Sequence, residues 1–207
     1  MKQSVYTIGH STHTIERFID LLKEHGVTAL ADVRSSPFSR FNPQFNQSEL
    51  KVALRKNGIQ YVFLGQELGA RSGNPTCYKD GKVQFDRLAK TEMFQCGLDR
   101  IAEGSKNYRI SLMCAEKDPI ECHRTILVSR RLKENGFAVI HILSNGQTES
   151  HEALEERLIR MFKLNNGDLF LSSEEIRKKA YQKQGEAIAY TMKSDTDDGS
   201  VLKKVQA

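Results

Sequence analysis

At 207 residues, with 39% hydrophobic and 28% charged side chains, the chain can form one domain with a full core plus an appendage, and it is too apolar to be a disordered polymer. No apolar run approaches the roughly 18 residues of a membrane span, and four cysteines without regular spacing do not make a disulfide framework. The net charge of +5, much of the excess at Lys178, Lys179, Lys183, Lys203 and Lys204, permits contact with a polyanion without requiring one.

Val5 to Gly9 reads as a first strand entered directly from the N-terminus. The opening residues carry no apolar segment with a cleavage site, so a cytoplasmic location in a reducing compartment is expected. Between Thr12 and Gly26, apolar residues Ile15, Phe18, Ile19 and Leu22 recur three and four apart, the mark of an amphipathic helix capped by Thr12 or Thr14. Leu30 to Val33 is a second buried strand, so the first three elements form a βαβ unit with parallel strands and a right-handed crossover.

After Arg34 comes an irregular stretch in which Pro37 and Pro43 forbid regular structure and Phe38, Phe41 and Phe45 alternate with polar groups. It reads as a lid that packs its rings over the sheet edge, with Arg40 turned to the cleft. A helix follows from Asn46, with Glu49 as its capping-box partner. Ile59 to Leu64 is the third strand. The irregular Gly65–Lys82 stretch exceeds a typical connection, which suggests a functional loop carrying Glu67, Arg71 and Tyr78. Phe85 to Glu103 reads as a helix with Leu88, Met93, Leu98 and Ile101 inward. Asn107 to Met113 is the fourth strand, Ile120 to Gly136 a helix, and Ala138 to Leu143 the fifth strand. Ser150 caps one further helix; Ser172 with Glu175 opens another that reaches about Met192.

The order predicts an α/β fold: a three-layer open sheet, mostly parallel, of about five strands with helices on both faces, plus C-terminal helices. The expected division is an α/β domain over residues 1–150, a helical appendage over 151–192 and a tail over 193–207.

In a parallel sheet the ends of the first, second and fourth strands share one edge, where ligands bind. Those ends carry His10 and Ser11; Asp32, Arg34 and Ser35; and Cys114, Glu116, Cys122, His123 and Arg124. The Cys114 turn superficially resembles the phosphate loop of cysteine phosphatases, but the residue six after Cys114 is Ile120 rather than arginine, and the turn is acidic. Cys114, Cys122, His123 and His10 include soft and borderline ligands for zinc or iron. Neighbouring residues at a helix start point about 100° apart, so Cys122 is read as a packed small hydrophobe, and no metal ligand is assigned.

The pattern fits a polar ligand site better. His10 is the expected acid–base group, with Cys114 and Glu116 as further catalytic participants. Ser11, Asp32, Arg34, Ser35, Arg40 and Arg124 are the expected ligand-binding residues, the arginines offering planar forks to an anion. An ion pair between Asp32 and Arg34 is the plainer alternative for those two. The expected partner is a small anionic, phosphate-bearing or nucleotide-like substrate; no membrane contact is expected, and the sequence specifies no cofactor. Alternatives are a nucleic-acid or nucleotide-binding module without catalysis and a metal-binding protein using Cys114 and His123.

The combination of Tyr6-Thr7-Ile8-Gly9-His10-Ser11, Asp32-Val33-Arg34-Ser35 with Pro37 and Ser39-Arg40-Phe41-Asn42, Leu64-Gly65 through Leu68-Gly69, and Leu112-Met113-Cys114-Ala115-Glu116 through Cys122-His123-Arg124 resembles domain-of-unknown-function family 488. The resemblance covers roughly the first two-thirds of the chain. It implies an α/β fold in cytoplasmic-type bacterial or archaeal proteins and carries over no settled activity.

Overall fold

Alternating buried runs and amphipathic segments build a parallel sheet covered on both faces. The computed structural model describes residues 3–164 and 171–192. The main sheet contains β1 (Ser4–Gly9), β2 (Ala29–Asp32), β3 (Gln60–Phe63), β6 (Ile110–Cys114), β7 (Ala138–Ile142) and β8 (Thr148–Ser150), with β4 (Tyr78–Lys79) and β5 (Lys82–Val83) forming a separate two-stranded ribbon. The sheet order is β3-β2-β6-β1-β7-β8; every pairing is parallel except that of β7 with β8.

The helices are α1 (Ile15–Glu24), α2 (Gln47–Lys56), α3 (Gly65–Leu68), α4 (Phe85–Leu88), α5 (Glu92–Gly104), α6 (Arg130–Glu134), α7 (His151–Met161) and α8 (Ser173–Ile188). The steps from β1 to β2 to β3 run one way along the sheet, and the steps from β3 to β6 to β7 run back. Right-handed crossovers therefore place α1 and α2 on one face and α3 to α6 on the other. The cores follow this division. Phe18, Leu22, Leu50 and Leu54 meet Ile8, Leu30 and Met113, while Leu68, Phe94, Leu98 and Leu132 meet Ala31, Leu112 and Val139. No helix among the described residues is long and apolar enough to cross a membrane.

Several local expectations change. The 85–103 helix is broken into α4 and α5, because the Thr91 side chain accepts from the Phe94 amide and restarts the helix. That shift buries Phe94 and leaves Met93 58% exposed, so Phe94 replaces Met93 on the inner face. Asn46 caps α2 without a side-chain bond to it; its Oδ1 accepts instead from the Ser39 amide. The aromatic loop does not pack all its rings inward: Phe45 is fully buried, but Phe38 and Phe41 point to solvent. Ser172 and Glu175 do form the expected capping box, and α8 stops at Ile188.

Hydrogen bonds tie the last segment to the rest. Gln184 Nε2 donates to the Ile120 carbonyl, and the chain after α8 runs beside the ribbon, with the Val83 amide donating to Tyr190 O and the Met192 amide to Gly81 O. A buried polar relay links it to the sheet. Thr7 Oγ1 lies 2.8 Å from His141 Nδ1, His141 Nε2 3.0 Å from His151 Nδ1, and His151 Nε2 2.8 Å from the Tyr181 hydroxyl, which donates to Glu155. Lys133 closes the relay against the other Glu155 oxygen at 2.6 Å.

Candidate functional site at the strand ends

β6 is flanked by β2 and β1, both of which lead into helices on the α1–α2 face, whereas β6 leads to the opposite face. The chain diverges above the end of β6 and leaves a crevice there. It is a cleft of about 270 Å³, lined by Arg34, Ser35, Arg71, Cys114, Glu116 and His123, with Ile188 and Tyr190 closing one side. A larger hollow of about 670 Å³ lies between α1 and α2, lined by residues such as Ile19 and Val52 and remote from the strand ends.

The loops around the cleft touch backbone to backbone. The His10 and Ser11 amides donate to the Cys114 and Ala115 carbonyls, each at 2.9 Å. A Cβ on Gly9 would lie 1.9 Å from the Glu116 carbonyl oxygen, so only glycine lets β1 end this close to the β6 turn.

Asp32 and Arg34 form a closed unit. Asp32 is fully buried and receives Arg34 Nε at 2.9 Å and Nη2 at 2.7 Å. Tyr61 donates to the same carboxylate, and Nη2 also reaches the Phe45 carbonyl. Arg34 Nη1 contacts His10 Nε2 at 3.3 Å. The five guanidinium N–H groups thus leave one for the cleft.

His10 is 3% exposed and stacks on Phe45 with ring centroids 4.4 Å apart. Its Nδ1 hydrogen goes to the Ser11 carbonyl, since that oxygen can only accept. Burial lowers its pKa to about 4, so it is neutral near pH 7. It stands behind Arg34 and does not line the cleft. Ser11, at φ 47, lends its backbone to this junction.

Arg124 is wholly buried. Its Nη1 donates to the Glu116 carbonyl at 2.9 Å, while Nε and Nη2 have no partner among the described residues. It lies under the Glu116 turn rather than on the cleft wall. Arg40 is exposed and stands apart from the cleft. Ser35 accepts the Arg71 amide at 3.0 Å, which places Arg71 on the wall, where its guanidinium lies 4.6 Å from the Tyr190 ring centre. Glu67 turns the other way and pairs with Arg100, and Tyr78 donates to the Ser72 carbonyl.

The cleft floor holds Cys114 and His123, with Cys122 beside them, all three buried. The turn Pro119–Glu121, capped by Asp118, ends before Cys122, whose φ of −131° and ψ of 138° are extended; His123 is the first residue with helical angles. The two side chains are therefore not held 100° apart on one helix, and both reach Cys114. His123 Nδ1 lies 3.7 Å from Cys114 Sγ and 3.9 Å from Cys122 Sγ. Its Nε2 donates to the Val33 carbonyl at 3.0 Å. The helix then opens with a π-turn over Arg124–Ser129, in which Ser129 Oγ donates to the Arg124 carbonyl; such turns recur at functional sites.

These groups bias one another. The hydrogen bond to Cys122, with burial, pushes the Cys114 thiol well up. Burial opposes the Cys122 thiolate, but the bond from Cys114 with Arg124 and His123 outweighs it and holds Cys122 well below the ordinary thiol range. Burial likewise works against His123, and Cys122 outweighs it to raise the imidazole. Burial, then Cys122, raises Glu116.

The sequence points to Cys114, Glu116, His123 and Arg124 but reads Cys122 as packing; the Asp118-Pro119 pair, which starts a short turn, is the signal that the helix begins later. Tyr190 was missed, since nothing in its local sequence ties it to a strand end about 80 residues earlier. A family model described as "Domain of unknown function DUF488" matches residues 14–131. No curated protein matches the chain.

Proposed function

The chain belongs to the DUF488 family, whose description assigns no activity, and from the cleft we propose an enzyme of hydrolase or transferase type acting on a small anionic, phosphate-bearing or nucleotide-like substrate. The observation that carries this reading is that one concave site joins arginine donors to a thiol–imidazole floor. Arg71 has no carboxylate partner among the described residues, and its planar fork suits a phosphate or carboxylate. The remaining N–H of Arg34 adds a donor whose position Asp32 holds. Cys114 and His123 lie on the floor beneath the bound anion, and the Glu116 carboxyl stands on the rim to exchange a proton with the substrate.

Thermal shift against inorganic phosphate, nucleotides and sugar phosphates tests this. A ligand at a hundredfold excess over its Kd stabilises by about 2.7 kcal/mol, which for a chain of this size raises Tm by roughly 5 °C or more. The shift is expected to vanish in Arg71→Ala. A panel in which no anion moves Tm, or a shift that survives Arg71→Ala unchanged, refutes the reading.

One observation favours a second reading. Phe38 is 66% and Phe41 88% exposed, on either side of exposed Arg40, an arrangement that can stack on unpaired bases. If the chain binds single-stranded nucleic acid, affinity falls steeply with salt and drops in Phe41→Ala, base stacking being worth about 1–3 kcal/mol per base. Binding to no oligonucleotide at low salt eliminates it.

A further inference from the structure

We propose that Cys114, Cys122 and His123 are three ligands of a zinc ion whose fourth position opens to the cleft. Among the described residues, these three place their ligating atoms, two Sγ and one Nδ1, within 4.8 Å of one another. A tetrahedral ion with Zn–S of about 2.3 Å and Zn–N of about 2.0 Å sets sulfur and nitrogen roughly 3.6 Å apart. The two sulfur–nitrogen separations here are 3.7 and 3.9 Å, so each sulfur already stands near ligand spacing from the imidazole nitrogen.

The surroundings orient two of the ligands as a metal site requires. Val33 O can only accept, so His123 Nε2 carries the ring hydrogen and the Nδ1 lone pair points at the sulfurs. A ligating histidine is held by this kind of outer contact. The Arg124 amide points at Cys122 Sγ at 3.4 Å, a bond a thiolate accepts better than a thiol. The Arg124 guanidinium, wholly buried with Nε and Nη2 unpartnered among the described residues, places a fixed cation under the turn that follows Cys114. Two cysteines packed merely as small apolar groups would explain none of these contacts.

The ligand set chooses the metal. Two thiolates and an imidazole suit zinc and discriminate against calcium and magnesium, which take oxygen. Three protein ligands with one position toward a cavity is the pattern of a zinc site that does chemistry, whereas purely structural sites close with four. Cys114 and His123 line the cleft, so the free position faces the same space as Arg71. The inference rests on the three side chains and does not depend on what the cleft binds.

The test is elemental analysis of the full chain purified under reducing conditions without chelator, followed by removal of the metal and titration with cobalt(II). The expected result is one zinc per chain and, on cobalt addition, a thiolate-to-cobalt charge-transfer band. Cys122→Ser and His123→Gln should each weaken cobalt binding by more than about 100-fold, beyond the effect of losing an outer partner. Cys96→Ser, at an exposed cysteine, should change nothing. Arg71→Ala should keep the zinc even where it abolishes anion binding, which separates this inference from the proposed activity. Folded, reduced wild-type chain that binds neither metal overturns the inference on its own. So does a Cys114–Cys122 disulfide in that preparation, or a folded Cys122→Ser that binds cobalt as wild type does.

Discussion

Replacing Asp32 with alanine is expected to destabilise the fold by about 3–5 kcal/mol, the range for removing one partner of a buried ion pair. For this chain length that is a fall in Tm of roughly 6–20 °C. The reason is local. Asp32 is completely buried and accepts from the Arg34 side chain twice, from the Arg34 amide at 3.1 Å and from the Tyr61 hydroxyl. With the carboxylate gone, Arg34 remains 95% buried as an uncompensated cation (5% exposed), its Nε without a partner. The double variant Asp32→Leu with Arg34→Met is expected to regain part of the loss, because the unpaired charge disappears with its partner. Urea denaturation of the three proteins measures this. A single-variant loss under about 1 kcal/mol would mean that the pair is not dry, contrary to its burial.

The second large effect is acid lability. His10 and His151 have pKa values lowered by burial from 6.5 to about 4, and burial with the neighbouring His151 holds His141 well below the ordinary range. In the unfolded chain all three bind protons near 6.5. Between 6.5 and about 4 the unfolded state therefore holds more protons, so stability is full above 6.5 and declines as the pH falls through this window. At pH 5 the loss is about 2 kcal/mol for each of His10 and His151. With His141 adding in the same direction, this is a large share of the stability of an ordinary domain. Denaturation midpoints should fall sharply between pH 7 and pH 5, ahead of the range where carboxylates titrate. Midpoints equal at the two pH values would show that these imidazoles charge within the fold or reach water.

Both effects come from polar groups in the interior, and the two differ in how visible they were beforehand. The Asp32–Arg34 pair was legible because the residues are two apart at a strand end. The Thr7–His141–His151–Tyr181–Glu155 relay was not, since its members are separated by up to 174 positions and each has an unremarkable neighbourhood in sequence.

Periodicity and strand-end chemistry by themselves determined much of this protein. The apolar run Ile110 to Met113 needed burial on both sides, the three-and-four spacing of α1 needed a sheet to face, and alternation of the two dictated a parallel sheet whose carboxyl edge carries Arg34, Cys114 and His123. These are local consequences of side-chain direction, 3.6 residues per helical turn against 2 per strand. Only tertiary structure decided the strand order, with β6 inserted between β2 and β1, and hence where the crevice opens. It also sorted the charged groups. Arg71 and the one free N–H of Arg34 face the cleft, Arg124 and His10 support it from behind, and Arg40 stays in water. That sorting depends on which face each backbone segment turns to its neighbours. At Cys122, one extended residue before the helix turned a side chain read as packing toward Cys114 and His123.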